Sequence, residues 1–406
     1  MEEKVISVVL AGIGGYGGNY VDEMLHHKDR VPQARLVGAV DPVAEKTYFY
    51  NELVEAGVPI YPDLASFYAE HTADLAVLST PIHFHKEQII QCLEHGTQVL
   101  CEKPVCATID DAKEIIAARD KAGLPVSIGY QWSHSEPILN LKKDILDGLL
   151  GRPVRMKTLV LWPRDFAYYR RGSGWAGKKS VNGHWILDSV ASNATAHYLH
   201  NMFFLAGPAM DRSADVADIT VETYRVNDIE TYDTCCLRGK TQEGTELLFI
   251  VSHAISKEEA YGPVFEYEFE KGRVVFARDS EDNEYMTAIL NDGRRIEYGS
   301  PSEFVIRKFH WAIDIALGKR QVVCGPEAAC IHTKCVNAIT QMIPETPVFP
   351  ADVTVFDEEN QMRYVRGLAD ILHECYEARR LPSELGVSWA QAPHSMDLTH
   401  YDSFRL

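Results

Sequence analysis

Residues 5–17 read Val5-Ile6-Ser7-Val8-Val9-Leu10-Ala11-Gly12-Ile13-Gly14-Gly15-Tyr16-Gly17. An apolar, β-branched run feeds into a G-x-G-x-x-G turn, after which Asn19, Val21, Met24 and Leu25 follow helical spacing. In a strand–turn–helix setting each glycine has a task. Gly12 makes the tight bend, Gly14 bares the backbone to a pyrophosphate, and Gly17 lets helix and strand pack closely. Ile13 and Tyr16 belong to the same turn, and the helix N-terminus that follows suits phosphate. The run 35–40 then ends in Asp41, whose carboxylate would accept from ribose hydroxyls and repel a 2′-phosphate. Pro42, Val43 and Ala44 supply no arginine, although Lys46 is near. The expected cofactor is NAD rather than NADP.

Working outward, residues 4–128 alternate β-rich runs (5–10, 35–40, 75–79, 98–101, 125–128) with helical patterns at 44–56, 85–95 and 109–122, which predicts a parallel sheet covered by helices. After a helix at 136–149 the rhythm changes. β-rich runs dominate at 154–161, 218–224, 234–237, 246–252, 265–270 and 274–277, interrupted by a helical stretch at 186–205. Helical patterns return at 303–317, 328–342 and 358–380. The expected architecture is an α/β Rossmann domain at 1–128, an α+β domain with an open, mainly antiparallel sheet at 129–385, and a tail at 386–406 that is a surface segment or a partner-contacting arm.

Composition bounds the function. The chain has 406 residues, 46% hydrophobic, and a formal charge of −18. Such a charge repels nucleic acid and anionic lipid, so neither is expected as a partner. No apolar stretch approaches the roughly 20 residues that span a bilayer, and the N-terminus shows no cleavable signal; a cytoplasmic protein is expected. Nine scattered cysteines without paired spacing point to reduced, mostly buried thiols and to no metal site.

Beyond the fingerprint stand Val40-Asp41-Pro42, Ser79-Thr80-Pro81 with His83 and His85, Cys101-Glu102-Lys103-Pro104, and the stretch 148–153. As an ordered set these resemble the family of glucose–fructose oxidoreductase, inositol 2-dehydrogenase and MocA-like proteins. The resemblance implies that Ser79, Thr80 and Pro81 line the cofactor with His85 beside them. It implies that Glu102 contacts the nicotinamide ribose, that Lys103 bonds the reacting hydroxyl, that the peptide before Pro104 is cis, and that Gln131 lies near the nicotinamide. It also implies a homodimer or homotetramer.

Oxidising a secondary alcohol requires a base beside the carbinol and a group that stabilises charge on its oxygen, a task suited to the Lys103 ammonium. The family supplies Asp and His from a D-x-x-x-H helix. Here Ser192 stands four residues after Asp188, and the next suitable imidazole is His197, as though five residues were inserted. His197 is expected to accept the proton and Asp188 to orient it or bind substrate, with Asn193 bonding a sugar hydroxyl or satisfying a distorted turn. Arg164, Tyr168 and Trp175, in a segment rich in aromatics and arginine, suit either a sugar-binding loop or an oligomer contact. His253 reads as structural.

The leading expectation is an NAD-dependent dehydrogenase of a sugar, glycoside or cyclitol. The alternatives are that oxidation to a 3-keto sugar is the first step of glycoside cleavage, or that the protein is a dinucleotide-binding regulator without catalysis.

Overall fold

In the computed structural model, which describes residues 4–171, 174–279, 281 and 283–406, five of the six residues of strand β1 (Ile6–Ala11) are fully buried. A strand covered on both faces belongs at the centre of a parallel sheet. The strands β2 (Ala34–Val40), β3 (Ile60–Tyr61), β4 (Leu75–Leu78), β5 (Gln98–Cys101) and β6 (Val126–Ile128) join it in the order β3-β2-β1-β4-β5-β6, all parallel. This is the order of a dinucleotide-binding sheet, with its switch point between β1 and β4.

The connecting helices are α1 (Gly18–His26), α2 (Tyr50–Glu55), α3 (Leu64–Glu70), α4 (His85–Glu94) and α5 (Ile109–Ala122). The helical pattern at 44–56 resolves into a short 3-10 turn, Ala44–Lys46, followed by α2, while β3 and α3 carried too short a pattern to be expected. The first of two compact units comprises the chain through Cys106, Asp110–Ser135 and Ser302–Cys330. Its last segment was grouped by sequence with the second domain, yet Ile306, Phe309, Ala312, Ile313 and Ala316 share one core with β1, β2 and α1.

The second unit comprises Ala107–Ile109, Glu136–Pro301 and Ile331–Leu406. It contains α6 (Glu136–Leu146), β7 (Pro153–Leu161), α7 (Phe166–Arg170), a hairpin of β8 (Ser180–Val181) and β9 (His184–Trp185), and α8 (Ala196–Ala206). Seven strands follow: β10 (Val216–Tyr224), β11 (Thr234–Thr241), β12 (Glu246–Ser252), β13 (Tyr261–Phe269), β14 (Gly272–Arg278), β15 (Glu284–Leu290) and β16 (Arg295–Glu297). The chain ends with α9 (Arg307–Ala316, in the first unit), α10 (Pro326–Met342), hairpin β17 (Thr354–Asp357) and β18 (Met362–Val365), α11 (Leu368–Ala378) and β19 (His394–Asp397).

The nine-stranded sheet runs β16-β15-β14-β13-β7-β12-β11-β10-β19, antiparallel except between β7 and β12. Strand β13 alternates, with Phe265, Tyr267 and Phe269 buried on one face, the pattern of a sheet wet on one side. By contrast β12 is buried at every position but its first, and α11 packs Leu368, Leu372 and Cys375 against Leu159, Leu161 and Ile250.

Two expectations change here. Residues 354–365 form a hairpin rather than the start of a helix spanning 358–380, because Asp357 accepts from the Asn360 backbone and side chain and closes a turn. Within the segment 386–406, residues 394–397 are not a free tail but the edge strand β19 on β10. All nine cysteines are free and buried. No helix among the described residues is long and apolar enough to cross a membrane.

Candidate active site

In the first unit the glycine turn is built as its residue types require. Gly12 has φ +82°, and a Cβ there would lie 2.6 Å from the Ser79 carbonyl oxygen; a Cβ on Gly17 would lie 1.8 Å from the Gly12 carbonyl oxygen. Both positions are closed to any other residue. Gly14 is different. Its backbone is extended (φ −88°, ψ 172°), and a Cβ there meets only Thr47 Cγ2 at 3.4 Å. The protein's own packing gives no reason for glycine at 14, which is what close approach of a ligand backbone would require. The 3-10 turn Gly15–Gly17 leads into α1, and neither start has a side-chain cap, so the N-terminal amides remain available to an anion.

Asp41 lies at the end of β2, and its carboxylate accepts from the backbone N–H of Ile13 at 3.2 Å and of Val43 at 2.9 Å. At the end of β4, Ser79 donates its N–H to Ala11 O and Thr80 Oγ1 donates to Gln88 Oε1 at 2.6 Å. Pro81 opens the short turn that precedes α4. His85, the first residue of α4, is buried with Nε2 2.9 Å from Thr80 O and Nδ1 2.9 Å from Pro104 O. Burial holds its imidazole below the usual range. A neutral ring has one N–H, so it bonds one of these carbonyls at a time. The ring lies between the loops after β4 and β5, within 2.9 Å of a carbonyl oxygen of each.

After β5 come Glu102, Lys103 and Pro104, with the Lys103–Pro104 peptide cis. Lys103 is half-buried, and Gln131 opens a 3-10 turn just past β6. Glu102 is buried, and its oxygens are already engaged. Oε1 accepts from Tyr20 Oη at 2.5 Å and from Lys308 Nζ at 2.5 Å, while Oε2 accepts from the Lys103 N–H at 3.3 Å. Burial pushes the Glu102 carboxyl upward; the Lys308 ammonium more than offsets this, so Glu102 is held below its ordinary range. Burial likewise opposes the Lys308 charge, and Glu102 outweighs it. Lys308 also donates to Gly129 O and lies 4.4 Å from the centroid of the exposed Tyr16 ring.

Sequence reasoning missed Lys308 and Tyr20. A signal for Lys308 existed: it shares the apolar face of its helix with Trp311, Ala312 and Ile315, where a lysine is out of place without a buried partner.

In the second unit, Asp188 is buried, its Oδ2 accepting from the Gly177 N–H at 2.6 Å and its Oδ1 from Asn193 Nδ2 at 2.8 Å. Arg164 and Arg171 both lie against the Tyr168 ring, at 4.8 and 3.6 Å from its centroid, and Arg171 is 4.8 Å from that of Trp175. His253 meets the Tyr168 ring edge-on at 5.6 Å, and its Nδ1 donates to Trp162 O at 2.6 Å. Burial first, then Arg164 and Arg171, hold the His253 imidazole down to about 3.

Residues 6–130 match the family model described as oxidoreductase family, NAD-binding Rossmann fold, of the Gfo/Idh/MocA group. Residues 6–130 are thus similar to the NAD-binding domain of the Gfo/Idh/MocA oxidoreductases. Inositol 2-dehydrogenase of Rubrobacter xylanophilus is 26% identical over 197 residues, 48% of this chain and 51% of that protein. The 2,7-anhydro-N-acetylneuraminate hydratase of Mediterraneibacter gnavus is 26% identical over 149 residues, 37% of this chain and 38% of that one. The chain thus spans about half or less of the length of these curated relatives. The WlbA dehydrogenase from Chromobacterium violaceum, solved with NADH and UDP-GlcNAcA, shares the fold with a TM-score of 0.69 at 20% identity, over 84% of this chain and 94% of that one.

Around Asp188 the chain departs from expectation. The helix predicted at 186–205 begins only at Ala196, so Asp188 and Asn193 lie before it and His197 sits in its first turn, half-buried. The reason is local. Leu187 is left-handed (φ +52°), Ser192 Oγ accepts from the Ser189 N–H and donates to Leu187 O, and Thr195 Oγ1 donates to Val190 O. Short hydroxyl side chains here satisfy the backbone in place of helical hydrogen bonds. The stretch 187–195 is therefore a series of turns and not helix.

Proposed function

We propose that this protein is a Gfo/Idh/MocA-type enzyme, an NAD-dependent dehydrogenase of a secondary hydroxyl on a sugar, glycoside or cyclitol. The observation that carries the reading is the Glu102-Lys103-Pro104 turn at the end of β5, its carboxylate braced by a buried lysine, in the same sheet as a glycine turn whose Gly14 no internal packing demands. The glycine turn, Asp41 and the loop Ser79–Pro81 would hold NAD, which when bound supplies the hydride acceptor. Asp41, with no arginine after it, favours NAD over NADP.

Lys103 bonds the carbinol oxygen and stabilises the negative charge that grows there, and as an ammonium it cannot itself take the proton. His197 accepts that proton. Asp188, fixed by Gly177 and Asn193, is a ready acceptor for a neighbouring substrate hydroxyl. The named activities of the relatives, inositol dehydrogenation among them, support the substrate class.

A second reading gains support from the hydratase relative, whose name describes no net oxidation: oxidation would then be one step of a cleavage or hydration in which the cofactor returns to its starting state. Incubation with NAD and a panel of aldoses, glycosides, uronic acids and inositols separates the two. Reduced cofactor accumulating with a keto product supports the dehydrogenase. Product forming without it supports the second reading. NAD binding without any turnover would remove both.

A further inference from the structure

Arg164 and Arg171 are two cations around one aromatic ring, and among the described residues neither has a carboxylate partner. Arg164 Nη1 donates only to the adjacent Pro163 O, and Arg171 Nη1 to Tyr168 O. This is unexpected in a chain with 58 acidic and 40 basic residues, because guanidinium groups brought together are normally interleaved with acids. Two carboxylates lie nearby: that of Asp188 is engaged by Gly177 and Asn193, and Asp165 Oδ1 accepts from the Tyr168 backbone N–H.

Around the same ring, three buried polar atoms have no partner among the described residues: Arg164 Nε, Tyr169 Oη and His253 Nε2. Buried polar atoms are ordinarily bonded, and their concentration in one place signals a ligand. Their types are complementary. Arg164 and Tyr169 donate, whereas His253, with Nδ1 donating to Trp162 O, presents Nε2 as an acceptor.

We propose that the substrate is a polyhydroxylated acid whose oxyanion, carboxylate or phosphate, is held by Arg164 and Arg171 while an adjacent hydroxyl donates to His253 Nε2. This deepens the dehydrogenase reading and rests on it in calling the ligand a substrate. The flanking rings of Trp162 and Trp175 hold the two guanidinium planes, 5.7 Å from Arg164 and 4.8 Å from Arg171, so the fork is ordered before an anion arrives. The neutral His253 adds no third charge, which matches the site to one oxyanion.

The test uses the full chain with NAD. Binding is followed by calorimetry, and turnover by absorbance of the reduced cofactor, for galacturonate, gluconate, glucose 6-phosphate, galactose, glucose and myo-inositol. At least one acid should bind more tightly than its neutral counterpart; preference for the hexuronate or aldonate identifies carboxylate, and preference for the sugar phosphate identifies phosphate. Arg171→Met or Arg164→Met should weaken that acid by about tenfold to a hundredfold, mostly in KM. Arg171→Lys should restore part of the loss, which shows that charge rather than folding is read.

Neutral sugars bound or turned over equally well, with no dependence on either arginine, would overturn this inference and leave the dehydrogenase reading standing. Arginine-dependent binding of an acid without hydride transfer would do the reverse. No binding of any acid by the NAD-loaded protein would overturn the oxyanion site outright.

Discussion

Lys308 Nζ and the Glu102 carboxylate form a buried ion pair 206 residues apart in sequence, at 2.5 Å, with Tyr20 Oη completing the carboxylate's shell. Breaking such a pair strands a charge, at about 3–5 kcal/mol, whereas removing both charges costs far less. Lys308→Met should therefore lower unfolding free energy by that order and weaken NAD binding. The double variant Lys308→Met with Glu102→Gln should recover most of the stability. Urea titration of the two variants decides; equal losses in both would show that the charge pairing is not the cause.

The three fingerprint glycines should separate cleanly. Gly17→Ala places a methyl 1.8 Å from a carbonyl oxygen, and Gly12→Ala forces a left-handed alanine onto Ser79; both should fail to fold or lose several kcal/mol. Gly14→Ala meets nothing closer than 3.4 Å and should keep its Tm, yet lose NAD binding. If Gly14→Ala binds NAD as the parent does, pyrophosphate does not approach there.

Lys103→Met should reduce kcat by about a hundredfold or more, the scale of losing one charge-stabilising group, while NAD affinity measured by fluorescence is retained. His197→Asn should act the same way and also remove the acid-side fall of kcat that protonation of a catalytic base imposes. Unchanged turnover in either would remove that residue from the mechanism.

Stability should fall on mild acidification. Burial holds His134 down to about 4 and His253 to about 3, while it pushes Asp233 up to about 6. The ordinary values are 6.5 and 3.8. Between pH about 4 and about 6, unfolding takes up two protons at the histidines and releases one at Asp233. The net uptake of one proton makes these groups contribute roughly 1.4 kcal/mol of lost stability per pH unit as pH falls. Asp233 alone works in the opposite sense, its contribution being complete below its unfolded value and lost as pH rises through about 6. His253→Asn should flatten the profile, as followed by urea midpoints across this range; an unaltered slope would mean that His253 is not held neutral.

The first unit was legible because its signals are local. Gly12, Gly17 and Asp41 occupy a fixed spacing between a strand and a helix, and the β-rich runs through Ile128 fell close to the observed strands. The region 186–205 misled for an equally local reason: apolar periodicity reads as helix, whereas Ser189, Ser192 and Thr195 turn their hydroxyls onto the backbone. Strand β19 was hidden because a four-residue edge strand has no periodicity of its own and exists only by pairing with β10.

Residue types at short range determined the dinucleotide turn, the acidic residue after the second strand and the lysine after the fifth, since a backbone bend or a strand end needs only its neighbours in the chain. Tertiary structure alone decided that Lys308 returns to charge-balance Glu102, that Arg164 and Arg171 close on one ring with no ion-pair partner among the described residues, and that His253 stays neutral against that ring. Those outcomes depend on desolvation and on which charges meet, and both are properties of packing between segments far apart in sequence.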